Sequence, residues 1–262
     1  MARQRLGQHF LTDAGWRRKI LASLPLVQNE TWIEIGAGHG EMTQSLAGDG
    51  RSVIAVETDA SLARRLGERV NADPAAWIGV EVVTADALSV DLAHLAPAKF
   101  RVYGNLPYYI TSPILHHLFR WAGQIQSIHI VIQLEVAARI AARPGGRDYG
   151  YLSTLCQFYA KPEIVLRIPP GAFRPRPRVA SALLRMELPG ERARLNLPDD
   201  KAFLSFLHLC FSQKRKTLRN NLRAIADDER IHAALEGCKL RPDARAEQLS
   251  LAQFAALFQS LS

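Results

Sequence analysis

Trp32-Ile33-Glu34-Ile35-Gly36-Ala37-Gly38-His39-Gly40 decides the fold. A short apolar, β-branched run flows directly into alternating glycines, as when a buried strand ends in a loop whose backbone approaches a ligand closely and presents amides at the start of a helix. Outward from this stretch, β-branched runs at 52–56, 80–84, 101–103 and 128–132 alternate with segments of helical spacing such as 61–70 and 112–121. Further strands are expected at 162–168 and 180–188, which makes seven. Strands alternating with helices imply a doubly wound α/β domain with a mainly parallel sheet. Pro189-Gly190 and Pro198 interrupt this pattern, and from Asp200 onward only helical periodicity remains, in Phe203, Phe206, Leu207 and Cys210, then Leu218 and Leu222, then 231–235 and 251–261. The expected division is therefore an α/β domain over 1–190 and a small all-α domain over 191–262.

The strand ends carry the chemistry. The spacing at Gly36, Gly38 and Gly40 is GxGxG, with Glu41 where the dinucleotide pattern GxGxxG places its last glycine, so the loop suits a nucleotide-like cofactor better than a pyrophosphate. That weakens a dehydrogenase reading. The second strand runs into Glu57, twenty-one residues after Gly36, at the offset where an acid meets ribose hydroxyls in such folds. The third runs into Ala85-Asp86, a second carboxylate at the same edge. The fourth ends in Asn105-Leu106-Pro107-Tyr108. There an amide oxygen and a free backbone carbonyl can accept the two N–H groups of an exocyclic amine on a base, turning its delocalised lone pair toward a methyl donor, while Tyr108 stacks on the ring.

Composition bounds the partners. The chain has 262 residues, 48% hydrophobic and 22% charged, which excludes disordered and fibrous classes. Its longest apolar stretch, around 127–134, is broken by His129 and Gln133 and falls short of the roughly 18 residues of a membrane span. The first residues lack the apolar core of a signal peptide, and the three isolated cysteines, Cys156, Cys210 and Cys238, form no CxxC pair. A reducing, cytoplasmic setting without structural zinc is expected. The net charge of +8 is segregated: residues 1–20 carry +4, residues 21–135 carry −5 and residues 136–262 carry +9. Basic flanks around an acidic middle suit a polyanion. Two clusters stand out. Phe173-Arg174-Pro175-Arg176-Pro177-Arg178-Val179 reads as an extended segment with Arg174, Arg176 and Arg178 on one side and Phe173 placed to cover a base. In 214–223, Arg215, Arg219 and Arg223 recur every four residues beside Leu218 and Leu222, so a helix with a basic ridge is expected, flanked by Lys214 and Lys216.

These motifs together resemble the ribosomal RNA adenine N6-dimethyltransferase family, in its bacterial KsgA (RsmA) branch. They are GQHFL at 7–11, EIGAGHG at 34–40, Glu57, Asp86, NLPYYITSP at 105–113, FRPRPRVASA at 173–182 and FSQKRKTLRNNL at 211–222, spread through almost the whole chain. The resemblance implies a Rossmann-like fold, S-adenosylmethionine as methyl donor without a metal, and two adjacent adenines near the 3′ end of 16S ribosomal RNA in the immature small subunit as acceptors. It implies cofactor contacts at His9, Leu11, Gly36, Gly38, Glu57, Asp86 and Asn105. It gives the target base to Asn105, Leu106, Pro107, Tyr108 and Phe173, and the RNA to Arg174, Arg176, Arg178, Lys214, Arg215, Lys216, Arg219 and Arg223. The chain departs from many relatives at His9 and Tyr109, where asparagine is common. A monomer is expected. The rival readings are an Erm-type methyltransferase of large-subunit RNA and a non-catalytic assembly factor with the same fold.

Overall fold

The computed structural model describes residues 9–27, 30–96 and 98–261. Gly7 and Gln8 of the N-terminal motif, and the basic residues before them, lie outside this set. In chain order the elements are β1 (Phe10–Leu11), α1 (Ala14–Ser23), β2 (Thr31–Ile35), α2 (Glu41–Gly48), β3 (Ser52–Glu57), α3 (Ala60–Ala72), β4 (Val80–Thr84), α4 (Leu92–Leu95), β5 (Phe100–Asn105), α5 (Thr111–Leu118), β6 (Ile125–Gln133), α6 (Leu134–Ile140), α7 (Tyr151–Tyr159), β7 (Lys161–Ile168), β8 (Phe173–Arg174), β9 (Ser181–Glu187), α8 (Asp200–Cys210), α9 (Leu218–Leu222), α10 (Asp228–Gly237) and α11 (Leu251–Leu261). Among the described residues no helix is long and apolar enough to cross a membrane.

The chain folds as two compact units, residues 1–137 with 162–188, and residues 138–161 with 189–262. The first is built on a seven-stranded sheet of order β4-β3-β2-β5-β6-β9-β7. β2, β3, β4, β5 and β6 pair in parallel, and β9 runs antiparallel to β6. β3 and β6 read as near-continuous apolar runs because helices cover both faces, and most of their residues are buried. Short polar caps start the helices: Asp59 accepts the Ser61 and Leu62 amides, and Asp91 those of Ala93 and His94.

The sequence pattern does not reveal a second, two-stranded sheet in which β1 pairs antiparallel with β8, Phe10 opposite Arg174 and Leu11 opposite Phe173. Cross-strand partners share a face and neighbours alternate. Leu11 and Phe173 accordingly turn together into the core around Trp32 and Tyr103. Beyond Arg174 the chain leaves the strand, and Arg176 and Arg178 remain exposed around buried Pro177.

The second unit packs α7 to α11 around Phe158, Phe203, Leu207, Leu222, Leu235 and Phe254. Here the expected division at residue 190 is corrected: residues 138–161 belong with the helices and not with the sheet. A close backbone approach explains it. The Gly190 amide donates to the Tyr159 carbonyl at 2.7 Å, and a Cβ at position 190 would lie 2.4 Å from the Ala160 nitrogen. The expected basic ridge is corrected as well. α8 ends at Cys210, turns occupy 211–215, and α9 begins only at Leu218 after Thr217. Asn221 causes the break by donating its side-chain N–H to the Cys210 carbonyl at 2.6 Å, which closes the end of α8. Lys214, Arg215 and Lys216 are exposed on that turn, whereas Arg219 and Arg223 both bond Asp228.

Candidate active site

The cleft forms where the strand order reverses. β2 lies between β3 and β5, Ile35 facing Val56 on one side and Gly104 on the other, so the loops leaving these strands diverge and open a crevice at their carboxyl ends. Its lining includes His9, Gly36, Glu57, Asp86, Asn105 and Tyr108.

The glycine loop is held by hydrogen bonds that only its left-handed turns allow. Gly38 has φ +58 and Gly40 φ +81, and a Cβ at Gly40 would fall 2.3 Å from a Leu66 methyl. Gly36 N–H donates to the Val56 carbonyl at 2.8 Å. Gly38 N–H donates to Glu57 Oε2 at 2.8 Å, and Asp59 N–H to Glu57 Oε1 at 2.9 Å. The buried Glu57 carboxylate therefore faces the cleft with one further lone pair on each oxygen. Asp86 is exposed, its Oδ1 accepting the Leu88 amide at 2.9 Å.

Asn105 is oriented by chemistry. Its Nδ2 donates to the His9 carbonyl at 2.8 Å; a flipped amide would set oxygen against oxygen. Oδ1 then has no partner among the described residues. The Leu106 amide donates to Val131 O at 3.1 Å, and the Pro107 carbonyl accepts the Ile110 amide at 3.1 Å, leaving the Leu106 carbonyl as the second acceptor without a partner among the described residues. Tyr108 is held through its hydroxyl, 3.0 Å from Ser181 Oγ at the start of β9.

Chain-wide similarity decides the family. A family model described as ribosomal RNA adenine dimethylase matches residues 1–262. The chain belongs to the ribosomal RNA adenine dimethylase family. It is 44% identical over 260 residues to a ribosomal RNA small subunit methyltransferase A of Acidobacterium capsulatum, covering 98% of this chain and 90% of that protein. A dimethyladenosine transferase from Plasmodium falciparum shares the fold, at TM-score 0.77 and 22% identity over 95% of this chain and 96% of its own. The 23S rRNA methyltransferase ErmE matches at TM-score 0.70 and 29% identity over 96% and 99%.

Within this adenine dimethylase, the first unit gathers His9, Gly36, Gly38, Glu57, Asp86, Asn105, Leu106, Pro107 and Tyr108 around one cleft. One expected contact is corrected. The Phe173 side chain is 1% exposed and faces the core beside that of Leu11, because the β1–β8 pairing turns both the same way, which leaves Leu11 only its main chain to offer a cofactor. Phe10, their neighbour on the opposite face, lines the cleft instead, its ring meeting the space a Gly38 Cβ would fill. Ser181 and exposed Tyr109 also belong to the site; Tyr109 is 71% exposed and lines the cleft. Alternation along the GQHFL motif is the signal that separates Phe10 from Leu11, whereas nothing in the spacing marks Ser181.

Beneath the loop, Glu34 is buried and accepts the Thr43 hydroxyl at 2.5 Å. Burial pushes its carboxyl up from 4.5 to about 8, against the Thr43 bond and with help from the Glu41 and Glu57 charges. Folded chains then keep a proton that unfolded chains release between pH 4.5 and about 8, so stability falls as pH rises through that window. Glu34→Gln should remove this component, up to ~1.4 kcal/mol per pH unit. Urea unfolding of both proteins at pH 5, 6.5 and 8 checks it; parallel pH dependences would overturn the assignment.

Proposed function

We propose that this chain dimethylates N6 of two adjacent adenines near the 3′ end of 16S ribosomal RNA during maturation of the small subunit, acting as a cytoplasmic monomer with S-adenosylmethionine as donor. The observation that carries this reading is the pinned Asn105 amide, which leaves Oδ1 and the Leu106 carbonyl as two acceptors in one cleft. Identity of 44% to a small-subunit enzyme, against 29% to a large-subunit one, supports the choice of subunit.

The cleft suits the cofactor by its donor set. Glu57 offers two lone pairs to a ribose diol, Asp86 a carboxylate oxygen to an adenine amine, and the Gly36 and Gly38 turns a surface without side chains for the amino-acid portion. The bound cofactor supplies a methyl group already activated on a sulfonium, so the proposed reaction calls on no metal. Asn105 Oδ1 and the Leu106 carbonyl accept the N–H groups of the target amine and aim its lone pair along the transfer direction. Tyr108, fixed by Ser181, holds the ring by stacking, worth roughly 1–3 kcal/mol. The methylated nitrogen is cationic as its new bond forms and then passes its proton to water, so no strong base is needed, and release of the methylated RNA and the demethylated thioether form of the donor completes the cycle.

Arg174, Arg176 and Arg178 in the first unit, and the 214–223 cluster in the second, are proposed to bind the RNA backbone. Lys214, Arg215 and Lys216 should dominate that cluster because Asp228 neutralises part of Arg219 and Arg223; the hydrogen bonds from Arg223 first and Arg219 second also hold its carboxyl well below the usual range. Replacing Lys214, Arg215 and Lys216 by alanine should weaken subunit binding and lower the slope of log K against log salt by about 2–3, while the Arg219→Ala and Arg223→Ala pair changes it less. Equal slopes for the triple variant and the parent protein would remove the assignment.

Methyl transfer from labelled S-adenosylmethionine to unmethylated small and large subunits, with mass spectrometry of the RNA, tests the proposal. Dimethyladenosine on adjacent small-subunit adenines is expected. Label on large-subunit RNA would replace it with an Erm-type activity, and subunit binding without label would replace it with an assembly factor.

A further inference from the structure

His9 joins two hydrogen bonds that run from the Pro175 carbonyl to the Asn105 amide. Its ring Nδ1 lies 2.7 Å from the Pro175 carbonyl, which can only accept, so Nδ1 carries a proton and donates. Its own carbonyl accepts Asn105 Nδ2 at 2.8 Å. Its ring also lies against Tyr108, the centroids 5.6 Å apart at 33°. The backbone that follows it is already placed by the β1–β8 pairing. We infer that His9 is a positioning residue for methyl transfer: its side chain, anchored on Pro175, holds its carbonyl against the Asn105 amide and so keeps Asn105 Oδ1 directed at the target amine. This rests on the proposed transfer reaction and assigns His9 a task distinct from cofactor contact.

The physical case is one of orientation. An amide presents a donor and an acceptor at nearly equivalent positions, and an unconstrained Asn105 would offer NH2 to the target amine, donor against donor, in part of its population. The His9 carbonyl makes that orientation unfavourable because it would leave oxygen facing oxygen. The imidazole extends this tie beyond the paired strands, by a bond at 2.7 Å to the Pro175 carbonyl, 166 positions away in sequence. Either the neutral tautomer with Nδ1–H or the imidazolium supplies that donor. An asparagine, which also carries side-chain N–H groups, can supply it too, whereas alanine cannot.

Three proteins test the inference: the parent chain, His9→Ala and His9→Asn. Single-turnover methyl transfer is measured with cofactor and small subunits both saturating, and cofactor Kd is measured separately. The side-chain amide of Asn105 is followed by 15N NMR, assigned by its absence from the Asn105→Asp spectrum. The saturated rate of His9→Ala should fall ~10–100-fold, with its Asn105 amide exchanging hydrogen as a free amide does. His9→Asn should recover the rate to within about threefold, together with the protected amide. A His9→Ala protein with the parent's saturated rate, a loss carried wholly by cofactor Kd, an Asn105 amide unaltered by His9→Ala, or a His9→Asn protein as slow as His9→Ala would each overturn it. If the parent chain methylates no ribosomal RNA, the proposed function fails instead, and the amide measurement still decides whether His9 orients Asn105.

Discussion

Asn105→Ala is expected to bind S-adenosylmethionine and yet lose methyl transfer by about 10²–10³-fold, the scale of removing one preorganised hydrogen-bonding group from a transition state. The lone pair of an adenine amine is spread into its ring, and the amine becomes nucleophilic only as its nitrogen turns tetrahedral. Acceptors placed on its two N–H groups favour that geometry most strongly when the new bond is forming, so their effect falls on the rate and not on binding. Asn105 Oδ1 is one of the two, with the Leu106 carbonyl as the other. Removing the amide also frees the His9 carbonyl, which water can satisfy at this half-exposed position. Rapid-quench single turnovers at saturating cofactor, beside calorimetric cofactor binding, make the comparison. A rate within threefold of the parent protein would show that the amide oxygen does not handle the amine.

Much of this site could be read from the strand ends because each acid or amide stands at the end of a strand or within two residues of it, where the sheet itself fixes its position. Glu57 and Asn105 are the last residues of β3 and β5, and Asp86 follows β4 by two positions. Their convergence is a consequence of parallel pairing, which puts consecutive carboxyl ends on one edge. What stayed hidden depends on contacts distant in sequence. The β1–β8 pairing involves two residues on each side, too few to display a period, yet it decides that Phe10 and not Leu11 meets the cleft and that Phe173 is a core residue. The 214–223 segment misleads for the opposite reason. Its four-residue spacing satisfies a helical template over ten positions, but the side chain of Asn221 claims the Cys210 carbonyl and leaves only Leu218–Leu222 helical. Local periodicity reports what the backbone can adopt, and a single buried hydrogen bond selects otherwise.

Glu57→Ala should show the complementary defect, a cofactor affinity lowered by at least 10²-fold with a much smaller loss of transfer rate once cofactor saturates. The carboxylate is 3% exposed, and its two oxygens already accept the Gly38 and Asp59 amides at 2.8 and 2.9 Å. Two further hydroxyls on the same oxygens would form charge-assisted bonds, each worth roughly 1.5–3 kcal/mol, so losing both accounts for the expected fall. The substitution has a second consequence that requires no ligand. It leaves the Gly38 N–H without its buried acceptor, at a cost of about 1–3 kcal/mol, and this destabilises the loop in the cofactor-free protein as well. Glu57→Gln separates the two effects, because an amide can still accept the Gly38 bond through its oxygen while its NH2 cannot accept from Asp59 or from a hydroxyl. Calorimetric cofactor titration and urea unfolding of the three proteins give both quantities. If Glu57→Ala unfolds more easily but binds cofactor as tightly as the parent, Glu57 is a brace for the glycine loop alone, and the ribose must be held elsewhere along the cleft.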